Sequence, residues 1–536
     1  MNLKIKKEFF YILFLSIFSL GINQYYGYQG ILPIDSFLIF NAGFDLLNGK
    51  LPFNDYWTIK EPFIDFLQAS FFKFFGVSWF TYVLHASFFN FLVTISTFYI
   101  LSYFKLKTEL SFFYSLGVAI LTYPTAGTPF SDHHTLIFCL LAIYLFFIAI
   151  KTNNNFFWFI IPFILGLSFL SKQAPTVYLV LIISFLSLIY FVNKKNYKAM
   201  FYSSFGVFIF ILLFFFSLYL NNIQFNDFLT QYILFPKSLG GSRLDWVFPL
   251  EFQRFVLRFK IHYLSIIVLF FILINSLVKK IKINLEDILI MSCLILTCIL
   301  FIFHQLMTIN AIFIYCLIPI FCAFSHIYSD NFFKKKYISN FLVILTFCST
   351  CYYFITYVHN RTFMDLRKVD LSKSIDGGNI DVNLKGINWI TMFYPNNPNL
   401  EADNIKFAVN ILKNDNQPKM LITDYQFISV FLNKYDNSVT RFWYDFHGYP
   451  TKENPYFDYW KNFVIQRILD NKIKHIYVLG PLLGEKKPLE NIFDNCFIKE
   501  KLSKTFYRIN LTNCSIISGG SDRARTGDLL RDRQAL

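Results

Sequence analysis

Ionisable side chains that could bind an anion or move a proton stand at the ends of apolar segments in this sequence. Charged groups near a hydrocarbon core are costly, so they usually mark a site or a pathway. A carboxylate can take up a proton during catalysis, and Lys or Arg can bind a phosphate. The candidates are Asp35, Lys60, Glu61, Asp132, His133, His134, Lys172, Arg243 and His304, together with the neutral but polar Gln305 beside His304.

The composition indicates that a membrane protein positions these groups. Of the 536 residues, 55% are hydrophobic and 15% are charged, whereas soluble domains carry about 25% charged residues. The mean hydropathy is +0.45. Lysine clusters between apolar segments explain the net charge of +15, so no nucleic-acid partner is expected. Seven of the nine Cys lie inside apolar segments, which argues against a zinc or thiol-redox site.

Eleven apolar segments are predicted to span the bilayer, since a spanning helix needs about 20 residues. They cover residues 9–28, 79–104, 110–124, 134–150, 156–172, 175–192, 199–220, 261–278, 288–305, 310–329 and 338–357. Every second connection carries lysine, whereas those near 125–133 and 306–309 have no Lys or Arg. The positive-inside rule then places the N-terminus in the cytoplasm and the C-terminus outside. The first segment has no A-x-A-like cleavage site and is expected to be an uncleaved anchor.

Three parts of the chain lie outside these spans. The first outer loop, 29–78, contains "DSFLIFNAGFDLLNG", whose apolar period predicts a helix lying along the membrane surface. Residues 358–515 have soluble composition with helix and strand patterns, which predicts a small α/β domain. The last stretch, 516–536, has four Arg and no Lys. It resembles read-through beyond the end of a gene and is expected to be disordered.

The predicted fold class is therefore an α-helical polytopic membrane protein over residues 1–357 with a C-terminal extracytoplasmic α/β domain. In this topology all candidate site residues fall on the outer side of the membrane, while the inner side keeps mainly lysine clusters. A transporter would be expected to carry polar groups on both sides. The one-sided distribution predicts a reaction chamber that is open to the outer leaflet.

Several short motifs, taken in order, give a resemblance to a known family. Asp35 is followed by "NGKLPFNDYWTIKEPF" at 48–63, "SDHHT" at 131–135 and "GLSFLSKQAP" at 166–175. Together they resemble the GT-C membrane glycosyltransferases, and most of all their protein mannosyltransferase and lipid A aminoarabinose transferase branch. The sequence departs from that branch where Ser36 replaces a second acid. It also has "KEP" in place of "KPP" and "SKQAP" in place of "TKGP".

This resemblance covers about residues 1–360 and implies an enzyme of the bacterial inner membrane. Such enzymes move a sugar from a polyprenyl-phosphate carrier to a lipid, glycan or protein acceptor. The resemblance implies Asp35 as the general base, with Lys60, Lys172 and, as a third cation, Arg243 on the phosphate. No cofactor is certain, and a divalent metal stays open.

Simpler interpretations of these residues also exist. Asp35 could cap the surface helix, Lys60 and Glu61 could form a surface ion pair, and Lys172 could extend to the membrane interface. The aromatic stretch "RFWYDFHGYP" at 441–450 could stack on a sugar or pack in a core.

The "SDHHT" motif has three interpretations. Asp132 with His133 or His134 could ligate a divalent metal. The same groups could hydrogen-bond the donor phosphate or the acceptor. Alternatively, Asp132 only caps the helix that begins there. His304 and Gln305, at another outer helix end, form a similar candidate pair.

Other function classes compete with a glycosyltransferase. A glycan polymerase or ligase of the envelope is also multi-spanning, but it usually places its large polar loop between late spans. A lipid-linked-sugar transporter would favour an internal repeat, which is not visible here. A non-enzymatic assembly protein is the third alternative.

Overall fold

A computed structural model describes most of the chain. It covers residues 3–245, 247–248, 251–278, 282–434, 436–444, 448–481, 489, 492–493 and 498–511. The tail predicted over 516–536 lies outside the described residues.

Helices dominate up to residue 353, because long apolar runs in a bilayer must satisfy their backbone hydrogen bonds internally. In chain order they are α1 (Leu3–Gly27), α2 (Leu38–Leu47), α3 (Pro62–Phe75), α4 (Trp79–Tyr103), α5 (Thr108–Leu121), α6 (Ser131–Thr152), α7 (Asn155–Ser171), α8 (Gln173–Lys194), α9 (Tyr197–Leu220), α10 (Phe225–Phe228), α11 (Phe235–Ser238), α12 (Gly240–Leu244), α13 (Lys260–Leu277), α14 (Leu285–Met307), α15 (Leu317–Phe332) and α16 (Lys336–Tyr353). Three π-helical turns cover Leu229–Leu234, Gln253–Leu257 and Phe354–His359.

By length and composition, eight helices in the described part of the chain could each cross a membrane, as in a multi-pass membrane protein. They are Lys7–Gly27, Trp79–Tyr103, Ser131–Thr152, Gln173–Lys194, Tyr197–Leu220, Leu285–Met307, Ile312–Phe332 and Lys336–Met364. All eleven predicted segments form helices, but α5, α7 and α13 have only 14 to 18 residues. Helix α5 ends before the turn at Tyr123–Thr125 and reaches only about 21 Å at 1.5 Å per residue. The eleven predicted segments thus comprise eight long helices and three shorter ones packed among them.

Taken in chain order, the eight long helices and the shorter helices α5, α7 and α13 alternate in direction, which gives the bundle two chemically different ends. At one, the lysine end, Lys151 pairs with Asp287 at 2.8 Å and Lys194 with Glu286 at 3.0 Å. The opposite end, the site end, carries the last turns of α1 and α14, the first turns of α4 and α6, and the junction of α7 with α8. The first loop and the C-terminal part of the chain both join the bundle at the site end.

The helix predicted to lie along the membrane surface is present as α2, but nearly all of it is buried. Its Phe40 packs edge-on against Tyr82 of α4, with ring centroids 5.2 Å apart. Phe37, the N-cap residue of α2, contacts Phe427 of the C-terminal part, with ring centroids 4.5 Å apart. The apolar face of α2 is therefore not exposed, because the bundle and the C-terminal part cover it.

The C-terminal part contains the α/β elements that the sequence predicted. Its strands are β1 (Ile375–Asp376), β2 (Asn388–Trp389), β3 (Lys419–Thr423), β4 (His475–Leu479), β5 (Ile498–Lys501) and β6 (Phe506–Asn510), and its helices are α17 (Pro398–Asn414), α18 (Ile428–Leu432) and α19 (Phe457–Asp470). Four of the strands form a sheet in the order β3-β4-β6-β5, with β3 parallel to β4 and the other neighbours antiparallel. Strands β1 and β2 form a separate antiparallel pair.

The first loop and the C-terminal part share one hydrophobic core. Trp57 of the loop is fully buried against the rings of Phe235, Tyr459 and Phe463. The backbone of Trp57 also pairs with the segment 439–441, accepting from the N–H of Arg441 at 2.9 Å. This pairing fixes the register between a loop near the bundle and a segment almost 400 residues later in the chain.

Candidate functional site

A cavity of about 610 Å³ lies at the site end, between the bundle and the C-terminal part. Its charged lining groups are Asp35, Lys60, Asp132, Lys172, Arg243 and Asp365. Apolar and aromatic side chains, among them Phe130, Phe393 and Phe442, form much of the remaining wall. Five of the ten residues singled out in the sequence therefore meet in one space, although they come from five separate segments of the chain.

Asp35 faces this cavity from the short stretch between α1 and α2. Helix α2 begins at Leu38 with Phe37 as its N-cap and has no side-chain cap, so the capping interpretation of Asp35 is wrong. No described residue donates a hydrogen bond to its carboxylate, which is only half-buried because it borders the cavity. Burial raises the pKa of the Asp35 carboxyl above its ordinary value, and the nearby Lys60 ammonium opposes the rise.

Asp132 and Lys172 form a close ion pair in the cavity wall, with 2.7 Å between Nζ and the carboxylate. Asp132 lies in the first turn of α6, where a negative charge is favourable, but the α6 N-cap is Phe130 and receives no side-chain bond. Lys172 is the single residue that separates α7 from α8. Neither simpler interpretation fits, because Asp132 does not cap the helix and the Lys172 ammonium turns inward to a carboxylate.

Lys60 is held in the cavity wall by its neighbours on both sides. Its ammonium lies 5.2 Å from the ring centroid of Phe442 and 6.0 Å from that of Phe130, within cation–π range. It also lies 3.4 Å from Glu61, which is buried. The pair is therefore not a surface ion pair. Glu61 lies behind Lys60 and does not line the cavity.

Two glutamines fix the backbone that leads to Lys60. Gln173, the first residue of α8, donates to the carbonyl of Ile59 at 2.8 Å. Gln231 accepts from the N–H of Thr58 at 3.1 Å and donates to the carbonyl of Phe53 at 2.9 Å. Gln231 lies in the π-helical turn Leu229–Leu234, a rare conformation often found at functional sites.

Arg243 brings a third cation to the cavity from the short helix α12. Its Nε atom is buried and has no hydrogen-bond partner among the described residues. A buried guanidinium N–H without an acceptor favours an anion from outside the protein, because an unmade hydrogen bond of a charged group is costly.

The predicted histidines do not reach the cavity. His133 contacts Thr125 at 2.9 Å through Nε2, and His134 contacts His85 at 3.0 Å and the hydroxyl of Tyr123. All are buried inside the bundle. The histidines of "SDHHT" therefore contribute to the packing of the bundle and do not line this cavity.

His304 and Gln305 are also buried and contact each other, at 3.4 Å, outside the cavity lining. Among the described residues, no group of three or more His, Cys, Asp or Glu side chains could hold a metal ion. A metal at Asp132 would have to displace the Lys172 ammonium, and His133 is turned away towards Thr125. The Asp132–His133 pair does not fit a metal site.

The cavity also contains groups that the sequence analysis missed. Asp365 follows the last long helix, and Thr308 and Asn310 follow α14. Their signal was weak, because single polar residues in a connection are common. In the aromatic stretch at 441–450, Phe442 and Tyr444 line the cavity, where a sugar could stack on them, whereas Trp443 packs in the core.

If Lys172 binds the phosphate of a polyprenyl-phosphate donor, as the sequence resemblance implies, Lys172→Met should weaken binding of a polyprenyl phosphate by about ten- to a hundredfold, the range for losing a hydrogen bond to a charged group. Binding would be measured with the full chain in lipid nanodiscs. Lys151→Met is the matched control, because it removes a lysine of similar exposure from a pair with Asp287 at the lysine end. Equal losses of binding in both variants would show that the effect is not local to the cavity.

Comparisons with known proteins give no family assignment. No family model and no curated protein match the chain. Two solved structures are similar to it with a TM-score of 0.45 each. One is an oligosaccharyltransferase from Archaeoglobus fulgidus in complex with Zn and sulfate, 11% identical over 87% of this chain and 67% of that chain. The other is ArnT from Cupriavidus metallidurans in the apo state, 9% identical over 94% of this chain and 98% of that chain. Similarity at this level establishes neither a shared fold nor a shared activity.

Proposed function

We propose that this protein is a membrane glycosyltransferase that moves a sugar from a polyprenyl-phosphate-linked donor to an envelope acceptor. The observation that carries the proposal is the cavity at the site end, where the Asp35 and Asp365 carboxylates, neither with a described hydrogen-bond donor, share a space with three cations. A lipid-linked donor keeps its tail in the bilayer, so its phosphate must lie where membrane helices end. The cavity lies at the ends of the bundle helices, and its three cations could bind such a phosphate.

The proposed reaction is a single displacement at the anomeric carbon of the donor sugar. A bond forms between the acceptor oxygen and this carbon while the bond to the phosphate oxygen breaks. Asp35 takes the proton from the acceptor as general base. Lys60, Lys172 and Arg243 bind the phosphate and stabilise the charge it gains as it leaves. Lys172 would share its ammonium between Asp132 and the donor.

The proposed location is the inner membrane of a bacterium. Following the positive-inside rule, the lysine end faces the cytoplasm, and the site end with the C-terminal part faces outward. In this orientation the cavity meets the outer leaflet, where a lipid-linked donor and an envelope acceptor can both reach it. The acceptor is a lipid, a glycan or a protein.

The proposal is tested by comparing the envelopes of cells that carry the wild type or Asp35→Asn at equal membrane levels. Mass spectrometry of lipids, glycans and proteins should reveal a species that lacks one sugar residue in the variant. This species would also identify the acceptor. Identical envelopes in the two strains would contradict the proposed function.

The pH dependence of transfer gives a second prediction. A base must be ionised to act, so activity should fall on acidification as Asp35 is protonated, above the pH at which an ordinary aspartate is protonated. Lys60→Met should move this acid limb to still higher pH, because Lys60 opposes the rise in the pKa of Asp35. The check is the pH profile of kcat/KM for both proteins. An acid limb at the same pH in both proteins would contradict this prediction, because it would show that Lys60 does not lower the pKa of the catalytic base.

A further inference from the structure

A buried cluster of charges lies directly behind Lys60 and joins the C-terminal part to the first loop. Arg441 donates two hydrogen bonds to the Asp65 carboxylate, at 2.6 and 2.7 Å. It also donates to Glu61 at 3.0 Å and to the carbonyl of Lys60 at 2.8 Å. Arg441, Glu61 and Asp65 are all buried and do not line the cavity.

The fold sets the position of Arg441 before any side-chain contact is made. The backbone N–H of Trp57 donates to the carbonyl of Val439 at 2.8 Å, and the N–H of Arg441 donates to the carbonyl of Trp57 at 2.9 Å. This short parallel pairing places Arg441 beside the turn at Lys60 and Glu61. The residue that follows, Phe442, contributes the ring at 5.2 Å from the Lys60 ammonium.

Glu61 is a shared partner of two cations. One carboxylate oxygen lies 3.0 Å from Arg441, and the other lies 3.4 Å from Lys60. Burial alone would raise the pKa of Glu61, but Lys60 and Arg441 outweigh this effect and hold the pKa below its ordinary value. Glu61 also has a left-handed backbone conformation, with φ of 72°, which is uncommon for a residue other than glycine. The contact with Arg441 helps to keep the residue there.

We propose that Arg441 is a positioning residue that binds Glu61 and thereby leaves the Lys60 ammonium available to the donor phosphate. Without Arg441, Lys60 would be the only described cation in direct contact with the buried Glu61 carboxylate, which would draw the ammonium out of the cavity. The inference rests on the proposed function, since it assumes that Lys60 binds a phosphate. It makes the C-terminal part a component of the donor site.

The test measures binding of a polyprenyl phosphate without a sugar to the full chain in nanodiscs. Arg441→Met should weaken binding by about tenfold, comparable to the loss of one charged contact. The double variant R441M/E61Q should recover most of this loss, because a neutral glutamine no longer holds Lys60. The double variant R441M/D65N should recover thermal stability but not binding, because the Glu61 carboxylate still faces Lys60.

Arg441→Lys separates charge from geometry, because a lysine cannot make the paired bonds to Asp65 and also reach Glu61. It should bind the probe at an intermediate level. Arg508→Met is the matched control, since Arg508 pairs with Glu500 on the exposed strand β5 and should leave binding unchanged.

The outcomes distinguish two kinds of failure. A wild type that does not bind the polyprenyl phosphate would contradict the proposed function itself. A wild type that binds, together with an R441M variant that binds equally well, would overturn only the role of Arg441. If R441M/D65N recovered binding as fully as R441M/E61Q, the positioning role of Arg441 would also be overturned, since that result would indicate a purely structural role for Arg441.

Discussion

Asp35→Asn should reduce the rate of sugar transfer by about 10²- to 10⁴-fold, the range for removing a general base. The amide keeps the shape of the side chain but cannot accept a proton from the acceptor. Binding of polyprenyl phosphate should stay close to the wild-type level, because the three cations that line the cavity are unchanged. The rate would be measured in membrane vesicles that contain equal amounts of each variant.

Asp55→Asn is the matched control for Asp35→Asn. Asp55 lies in the same loop, accepts from the N–H of Leu51 at 2.8 Å and does not line the cavity. Its substitution should leave the transfer rate within a few fold of the wild type. If Asp35→Asn transferred sugar at the wild-type rate, the base would have to be another carboxylate, with Asp365 as the next group to test.

Arg361→Met should strongly destabilise the fold. Arg361 is fully buried and donates to three backbone carbonyls, those of Gln29, Pro124 and Ala126, at 2.8 to 3.0 Å. Gln29 lies just after α1, and Pro124 and Ala126 lie in the connection between α5 and α6. Losing their charged donor should cost about 3–5 kcal/mol, since buried acceptors would stay unpaired.

The measurement for Arg361 is the thermal unfolding midpoint of the purified protein in detergent. The midpoint should fall by several degrees in Arg361→Met, and less in Arg361→Lys, because lysine keeps the charge but reaches fewer carbonyls. Arg367→Met is the control in the same segment, because Arg367 is exposed. A midpoint that is unchanged in Arg361→Met would refute this role.

The convergence of charged groups could be predicted from the sequence because the helices alternate in direction. Asp35, Asp132 and Lys172 each follow or begin an apolar segment at the same end of the bundle, so a single cavity could collect them. The α/β pattern after residue 358 could also be identified, since the strands β3 and β4 carry short apolar runs. The short length of α5 could not be predicted, because the apolar pattern does not reveal the turn at Tyr123–Thr125 that follows it.

Two features of the site could not be predicted, for separate physical reasons. Neighbouring residues on a helix point about 100° apart, so Asp132 can face the cavity while His133 turns to Thr125. A motif written as adjacent letters does not contain this information. The partners of Arg361 and Arg441 are more than 200 residues distant along the chain, and only the folded structure brings them together.

The anomeric configuration of the transferred sugar tests the central claim most directly. The full chain would be reconstituted in vesicles with a polyprenyl phosphate that carries an isotopically labelled sugar and with the acceptor identified in the envelope comparison. NMR would then compare the anomeric carbon before and after transfer. A single displacement with Asp35 as base predicts inversion, with one polyprenyl phosphate released for each sugar transferred. Retention of configuration, or consumption of the donor no faster than in vesicles without protein, would contradict the account.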